Sequence, residues 1–156
     1  MHPVLLVTQM DASESGDVRA LLRAYAASLP FKLDFQDFDR ELAELPGAYA
    51  PPRGALLVAR VGGAPAGCVA LRPFSDGVCE LKRLFVRPEA RGLGLGRRLA
   101  TAIVSEARRI GYARMRLDTT PGMGTAQALY EELGFAETAP YRHNPVPGTR
   151  FLELVL

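Results

Sequence analysis

The segment RGLGLGRR, residues 91–98 of this 156-residue chain, restricts the fold more than any other segment. It places three glycines on alternate positions, directly after a predicted strand and at the start of an amphipathic helical pattern. The first amides of a helix have no internal acceptor and lie at the positive end of its dipole, and glycines leave them accessible. Arg97 and Arg98 are predicted in the first turn, where a bound anion would offset their unfavourable position. The segment therefore predicts a phosphate-binding turn, with a flexible strand-to-helix connection as the simpler alternative.

The spacing of the glycines excludes two common phosphate-binding motifs. A P-loop closes with Gly-Lys-Ser/Thr, whereas Gly96 is followed by two arginines. A dinucleotide-binding G-x-G-x-x-G motif that begins at Gly92 would need a third glycine where the chain has Arg97. The pattern is instead R-x-x-G-x-G, formed by Arg91, Gly94 and Gly96.

Hydrophobic periodicity along the chain predicts one mixed α/β domain over residues 1–156, with the element order β-α-α-β-β-β-α-β-α-β-β. Asp11 and Glu14 have the spacing of a capping box before the first helix. The second helical pattern carries Phe35, Phe38 and Leu42 on one side. The clearest strand patterns are ALLVARV at 55–61, AGCVALRPF at 66–74 and VCELKRLFV at 78–86. A long helix follows the glycine segment and ends before Gly111.

Composition and charge exclude several functional classes. The net charge of +2 is too small to indicate a nucleic-acid partner or an anionic membrane. The apolar runs are shorter than the roughly 20 residues of a membrane-spanning helix. The two cysteines, Cys68 and Cys79, lie out of register in a predicted hairpin, so we expect thiols, no metal site and a reducing, cytoplasmic location.

Two motifs together resemble the GNAT superfamily of N-acetyltransferases. Arg91 to Gly96, after the strand ending RLFVRPEA, is similar to the acetyl-CoA signature of that superfamily, and ALYEELGF at 128–135 is similar to its helix motif. The resemblance covers nearly the whole chain. It implies a mainly antiparallel sheet flanked by about four helices (α+β). It also implies acetyl-CoA-dependent N-acetyltransferase activity towards a primary amine, which we expect to belong to a small molecule.

The resemblance also implies how acetyl-CoA is held, as a cosubstrate and without a metal. The pyrophosphate would bind main-chain amides, and the pantetheine arm would bind the main chain of the preceding strand. One position departs from the family, because Met123 stands where many relatives have an asparagine; Asp118 and Thr119 are candidate substitutes. The residues implied for the pyrophosphate are Arg91, Gly92, Leu93, Gly94, Leu95, Gly96 and Arg97, and those implied for the pantetheine are Leu84, Phe85 and Val86.

Two side chains carry the catalytic chemistry that the resemblance implies. Glu80 lies where histone acetyltransferases of the family place a glutamate base, and its apolar strand neighbours are expected to raise its pKa. The alternative is a structural ion pair with Lys82, two residues along the same strand face. Tyr130 lies where the family often has a tyrosine that protonates the departing thiolate, and the alternative is a core tyrosine.

The acceptor site is expected in two loops. The segment FKLDFQDFD could supply Phe31 and Asp34, although acidic residues near a helix start are also favoured locally. The loop PYRHNPVPG could supply Tyr141, Arg142 and His143, with an exposed loop as the alternative.

The sequence leaves two alternative functions and one question of assembly open. The fold could serve as a non-catalytic acyl-CoA-binding module, but the presence of both Glu80 and Tyr130 favours catalysis. The acceptor could be a protein amine, either N-terminal or lysine. Edge strands of such a sheet could also pair in a homodimer.

Overall fold

The computed structural model describes residues 5–33 and 37–156, and within them the strands form a single seven-stranded sheet. The strands lie in the order β1-β2-β3-β4-β5-β7-β6. Helices α1 to α4 pack on its two faces. The strands are β1 Leu5–Gln9, β2 Ala55–Val61, β3 Ala64–Ser75, β4 Val78–Val86, β5 Arg114–Thr119, β6 Ala136–Glu137 and β7 Arg150–Val155. The helices are α1 Ser15–Ser28, α2 Phe38–Ala43, α3 Leu95–Ile110 and α4 Gly124–Glu132.

One pair of strands in this sheet is parallel. β4 pairs with β5 in parallel, whereas the other neighbouring pairs are antiparallel. The parallel pairing covers only Val78 to Glu80 of β4, so the two strands diverge beyond that point. The predicted fold class is confirmed: the sheet is mixed, mainly antiparallel and flanked by about four helices in the predicted order.

Local sequence signals explain where the helices begin and end. The Asp11 carboxylate accepts from the Ser13 amide, and the Glu14 carboxylate accepts from the Asp11 amide, which forms the predicted capping box. A single 3₁₀ turn over residues 12–14 leads from this box into α1. Helix α3 ends at Gly111, whose φ of +107° gives the left-handed conformation of a helix C-cap.

Each face of the sheet has its own hydrophobic core. On one face α3 and α4 cover the sheet, with Leu99 and Ile103 of α3 buried against Met115 of β5. On the other face α1 and α2 bury Leu21 and Leu22. This double coverage explains why β4 is apolar apart from its three charged residues, Glu80, Lys82 and Arg83.

The two cysteines are free thiols in the interior. Cys68 of β3 pairs with Phe85, and Cys79 of β4 pairs with Pro73, so the two residues lie far out of register, as predicted. Burial raises the pKa of both thiols to about 12.

Some sequence predictions fall at or beyond the limits of the described residues. The helical pattern around Phe35 and the acceptor candidate Asp34 lie outside them. The part of that pattern inside them forms the short helix α2, in which Phe38 and Leu42 are buried. None of the described helices is long and apolar enough to cross a membrane. The described ranges also contain no group of three or more side chains able to hold a metal ion.

Candidate active site

A cavity lies where β4 and β5 diverge. Leu81 to Leu84 of β4 form one wall and Leu117 to Thr119 of β5 form the other. Helix α4 contributes Tyr130, and the loop before β7 contributes Asn144. The remaining lining residues come from α1, the segment after it, the β5–α4 connection and the first turn of α4: Tyr25, Phe31, Leu33, Thr120, Met123 and Ala126.

The β4 wall of the cavity contains a β-bulge at Arg83. The pairing of β3 with β4 shifts register there, and Arg83 has a φ of +63°, which is uncommon for a residue with a long side chain. Its guanidinium is buried and donates from Nε and Nη2 to the Glu41 carboxylate of α2, both at 2.9 Å. It also lies 5.3 Å from the ring centroid of Phe38. These contacts hold the strained backbone in place beside the cavity.

The glycine segment forms the turn from β4 into α3 that the sequence predicts. Gly92 and Gly94 have φ values of +87° and +76°, and a Cβ atom at either would meet open space. The first helical hydrogen bond runs from the Arg98 amide to the Gly94 carbonyl at 3.1 Å. Within the described chain, the amides of residues 92–97 have no acceptor, so they remain available to an anion. The Arg97 side chain pairs with Glu132 of α4.

Side chains at the end of β5 also suit a polar ligand in the cavity. The Thr120 hydroxyl is buried, lines the cavity and has no hydrogen-bond partner among the described residues. A buried hydroxyl without a partner is costly, and a bound polar group would relieve that cost. Met123 lines the same wall, and its sulfur lies 4.0 Å from the Thr119 hydroxyl oxygen. Asp118 accepts from the Asn144 side-chain amide at 2.9 Å.

Tyr130 combines a ring packed in the core with a position at the cavity wall. It is buried and packs against Phe135, with ring centroids 5.6 Å apart. It also lines the cavity. Burial raises the pKa of Tyr130, so the phenol keeps its proton at neutral pH.

Glu80 is fully buried, and its carboxylate is shared by three donors. Arg72, directly opposite on β3, donates from Nε to Oε1 at 2.9 Å. The Tyr141 hydroxyl donates to Oε2 at 2.7 Å, and Arg142 Nη1 donates to the same oxygen at 3.1 Å. The carboxylate therefore holds the 141–142 loop against β4 and does not itself line the cavity.

The expected rise in the pKa of Glu80 is wrong. Burial does push the pKa upward, but Lys82, Arg72, the Tyr141 hydrogen bond and Arg142 together outweigh it, and the pKa lies below its ordinary value. Sequence reasoning missed the two arginines because their approach depends on strand register and on a distant loop. The arrangement matches the ion-pair alternative more closely, with arginines as the partners in contact. The role of Glu80 as a base stays a prediction.

The other predicted residues fall into separate groups. Leu84 lines the cavity, whereas Phe85 is buried on the α1 face and Val86 packs against the α3 core. Phe31 lines the cavity. Tyr141 and Arg142 bind Glu80, and the neighbouring Asn144 reaches the cavity in their place. His143 is exposed.

Comparison with known proteins agrees with this architecture. A model of the acetyltransferase (GNAT) family matches residues 18–135. An uncharacterised N-acetyltransferase of Schizosaccharomyces pombe is 44% identical over 140 residues, covering 88% of this chain and 86% of that protein. A GNAT acetyltransferase structure from Staphylococcus aureus MU50 has a TM-score of 0.79 at 18% identity, covering 96% of this chain and 98% of the other. The yncA protein of Salmonella typhimurium, solved with acetyl-CoA, has a TM-score of 0.73 at 21% identity, covering 97% and 93%.

The fold, the divergent strands and the relatives define an enzyme of the acyltransferase class. The chain belongs to the acetyltransferase (GNAT) family, as the glycine segment and the helix motif at 128–135 predict.

Proposed function

We propose that this enzyme transfers the acetyl group of acetyl-CoA to a primary amine of a small molecule. The observation that carries the proposal is the gap between β4 and β5, which has the Tyr130 phenol at its wall and the α3 N-terminus at the end of β4. An extended thioester-bearing ligand with a pyrophosphate fits those two features together.

Residues of this chain fit acetyl-CoA in two places. The amides of residues 92–97 lack acceptors within the described chain, which suits a pyrophosphate. The Thr120 hydroxyl, without a partner among the described residues, suits a polar group of the pantetheine arm. A structural neighbour from Salmonella typhimurium was solved with acetyl-CoA, which supports the same assignment. When bound, acetyl-CoA supplies an activated acetyl thioester.

Tyr130 and Asp118 have distinct roles in the proposed reaction. Tyr130 donates its phenolic proton to the sulfur that leaves, because its phenol lines the cavity and is protonated at neutral pH. The Asp118 carboxylate lines the cavity and attracts a cationic amine. Phe31, Leu33 and Asn144 also line the cavity and are the side chains that we expect to contact the acceptor.

Two measurements test the proposal. Acetyl-CoA and CoA should raise the melting temperature in a saturable way, because a ligand that binds only the folded state stabilises it. A panel of small amines, assayed by thiol release from acetyl-CoA, should contain at least one acceptor. The absence of any thermal shift contradicts acetyl-CoA binding. A shift without turnover on small amines or peptide amines favours the non-catalytic acyl-CoA-binding module instead, and turnover on peptides alone favours a protein acceptor.

The location and assembly of the protein stay predictions. Free, buried cysteines suit a reducing compartment such as the cytoplasm. Light scattering of the purified protein tests the predicted homodimer.

A further inference from the structure

Lys82 and Tyr130 approach the cavity from opposite faces of the sheet. Leu81 belongs to the core beneath α3, and successive side chains of a strand point to opposite faces, so Lys82 points towards α1 and α2. Tyr130 belongs to the core on the α3 side. Both residues line the cavity between β4 and β5. A thioester held in that gap would therefore have Lys82 on one side and Tyr130 on the other.

The face that carries Lys82 is also the face from which an acceptor would approach. Leu33 lines the cavity there and belongs to the core beneath α1 and α2, and Tyr25 of α1 and Phe31 line the cavity and pack against the same core. An acceptor nitrogen entering between these side chains reaches the acetyl carbon from the Lys82 side. The sulfur then leaves towards Tyr130.

The surroundings of Lys82 suit a side chain that exchanges a proton near neutrality. Lys82 is only 5% exposed, and burial lowers its pKa to about 7, against the opposing effect of Glu80. Arg83 lowers this pKa further and Asp118 raises it. Among the described residues, the charged and titratable groups around it are Glu80 and Arg83 on β4, Asp118 on β5, Arg142 in the loop before β7, Tyr25 on α1 and Tyr130 on α4.

We propose that Lys82 is the general base of this enzyme, an inference that rests on the acetyl-transfer function proposed above. The acceptor reacts as the neutral amine after releasing its first proton to solvent, and neutral Lys82 accepts a second proton from that nitrogen as the nitrogen–carbon bond forms. The carbon–sulfur bond breaks, and Tyr130 gives its phenolic proton to the sulfur. The step leaves Lys82 protonated and Tyr130 deprotonated. Transfer of that proton from Lys82 to Tyr130 through solvent restores both side chains.

Glu80 acquires a positioning role in this scheme. It lies two residues from Lys82 on the same strand face, and its negative charge raises the pKa of the lysine. It also holds Tyr141 and Arg142 against β4. Glu80 thus sets the pH at which Lys82 becomes neutral without touching the reacting atoms.

The first experiment measures the titration of Lys82 without turnover. The chain has two lysines, Lys32 and Lys82, so lysine labelled with ¹³C at Cε gives two side-chain signals. The signal missing from Lys82→Met identifies Lys82, and we expect it to titrate near pH 7. A Lys82 signal that stays in its charged form throughout the neutral range overturns the proposal.

The second experiment compares pH–rate profiles with one acceptor amine. In the wild type, kcat/KM should rise with an acid limb near pH 7, because the base must be neutral. Lys82→Met and Lys82→Arg should lose that limb and about 10²-fold in kcat, while the Kd for acetyl-CoA stays unchanged. Lys32→Met, which alters an exposed lysine, is the matched control and should keep the wild-type profile.

Glu80→Gln separates the two candidate bases. If Lys82 is the base, this variant stays active and its acid limb moves to lower pH, because the charge that raises the lysine pKa is gone. If Glu80 is the base, the variant loses the limb instead, and Lys82→Met keeps it. If the wild type turns over and Lys82→Met has the same pH–rate profile, Lys82 is not the base, but the proposed function stands. A wild type that neither binds acetyl-CoA nor turns over contradicts the proposed function itself.

Discussion

The carboxylate of Glu80, which the sequence assigned to catalysis, organises a buried cluster with Arg72, Tyr141 and Arg142. Glu80 is fully buried, yet Arg72 and Arg142 are each partly open to solvent. The carboxylate therefore places a negative charge inside the sheet, while the guanidinium groups of Arg72 and Arg142 remain partly hydrated. This arrangement makes the cluster a source of stability and of loop placement.

Glu80→Gln should destabilise the fold by about 1–3 kcal/mol at neutral pH, because it leaves two guanidinium groups without a full counter-charge. The folded-state pKa of Glu80 is lowered, so its stabilising contribution is complete above its ordinary pKa of 4.5 and declines as the pH falls through the folded value. Urea unfolding of wild type and variant should show the difference shrink on acidification. Glu44→Gln breaks the exposed pair with Arg40 and should cost much less, because solvent screens that pair. Equal costs for both variants would contradict this account of the cluster.

Tyr130→Phe should lower kcat by about 10²-fold and leave the Kd for acetyl-CoA and the melting temperature close to wild type. The physical reason is that phenylalanine keeps the packing against Phe135 but removes the proton donor. Stopped-flow turnover and thermal shift with acetyl-CoA check the two parts separately. A parallel loss of stability and of kcat would indicate the core role instead.

The turn between β4 and α3 combines a strained backbone with helix amides that lack an acceptor within the described chain. Gly94→Ala should cost about 1–2 kcal/mol of stability, because its φ is +76°. It should also weaken acetyl-CoA binding, because the strain at a positive φ shifts the turn that presents the unpaired helix amides. Gly62→Ala is the matched control, since its φ is +57° in open space at the β2–β3 turn. Isothermal titration should show a weaker affinity for Gly94→Ala alone; equal affinities would contradict the phosphate site.

The sequence predicted elements well where the signals were local. The strands at 55–61 and 78–86, the capping box at Asp11 and the end of α3 before Gly111 all appear as expected. The Arg83 bulge was missed because no turn residue marks it; it depends on pairing with Glu41 of α2. The contacts of Glu80 were missed for a related reason, since Tyr141 lies far along the chain.

At the scale of the whole molecule, the gap between β4 and β5 interrupts an otherwise continuous sheet. A pantetheine arm in that gap would supply hydrogen-bond partners to the open edge of β4. Hydrogen exchange should therefore slow on CoA binding in residues 81–86 and 92–97. The β2–β3 hairpin, already paired on both sides, serves as the internal reference and should not change. Uniform slowing across the sheet would indicate global stabilisation without a ligand in the gap.

The seclusion of the two thiols has a practical consequence at the bench. Cys68 and Cys79 are fully buried and poorly ionised, so an aromatic disulfide reagent meets no reactive thiolate on the native enzyme. Colour formed with that reagent during turnover then reports the CoA product with little background from the protein. The same reagent added with denaturant counts molecules that have opened, which makes one chromophore a probe of both turnover and unfolding.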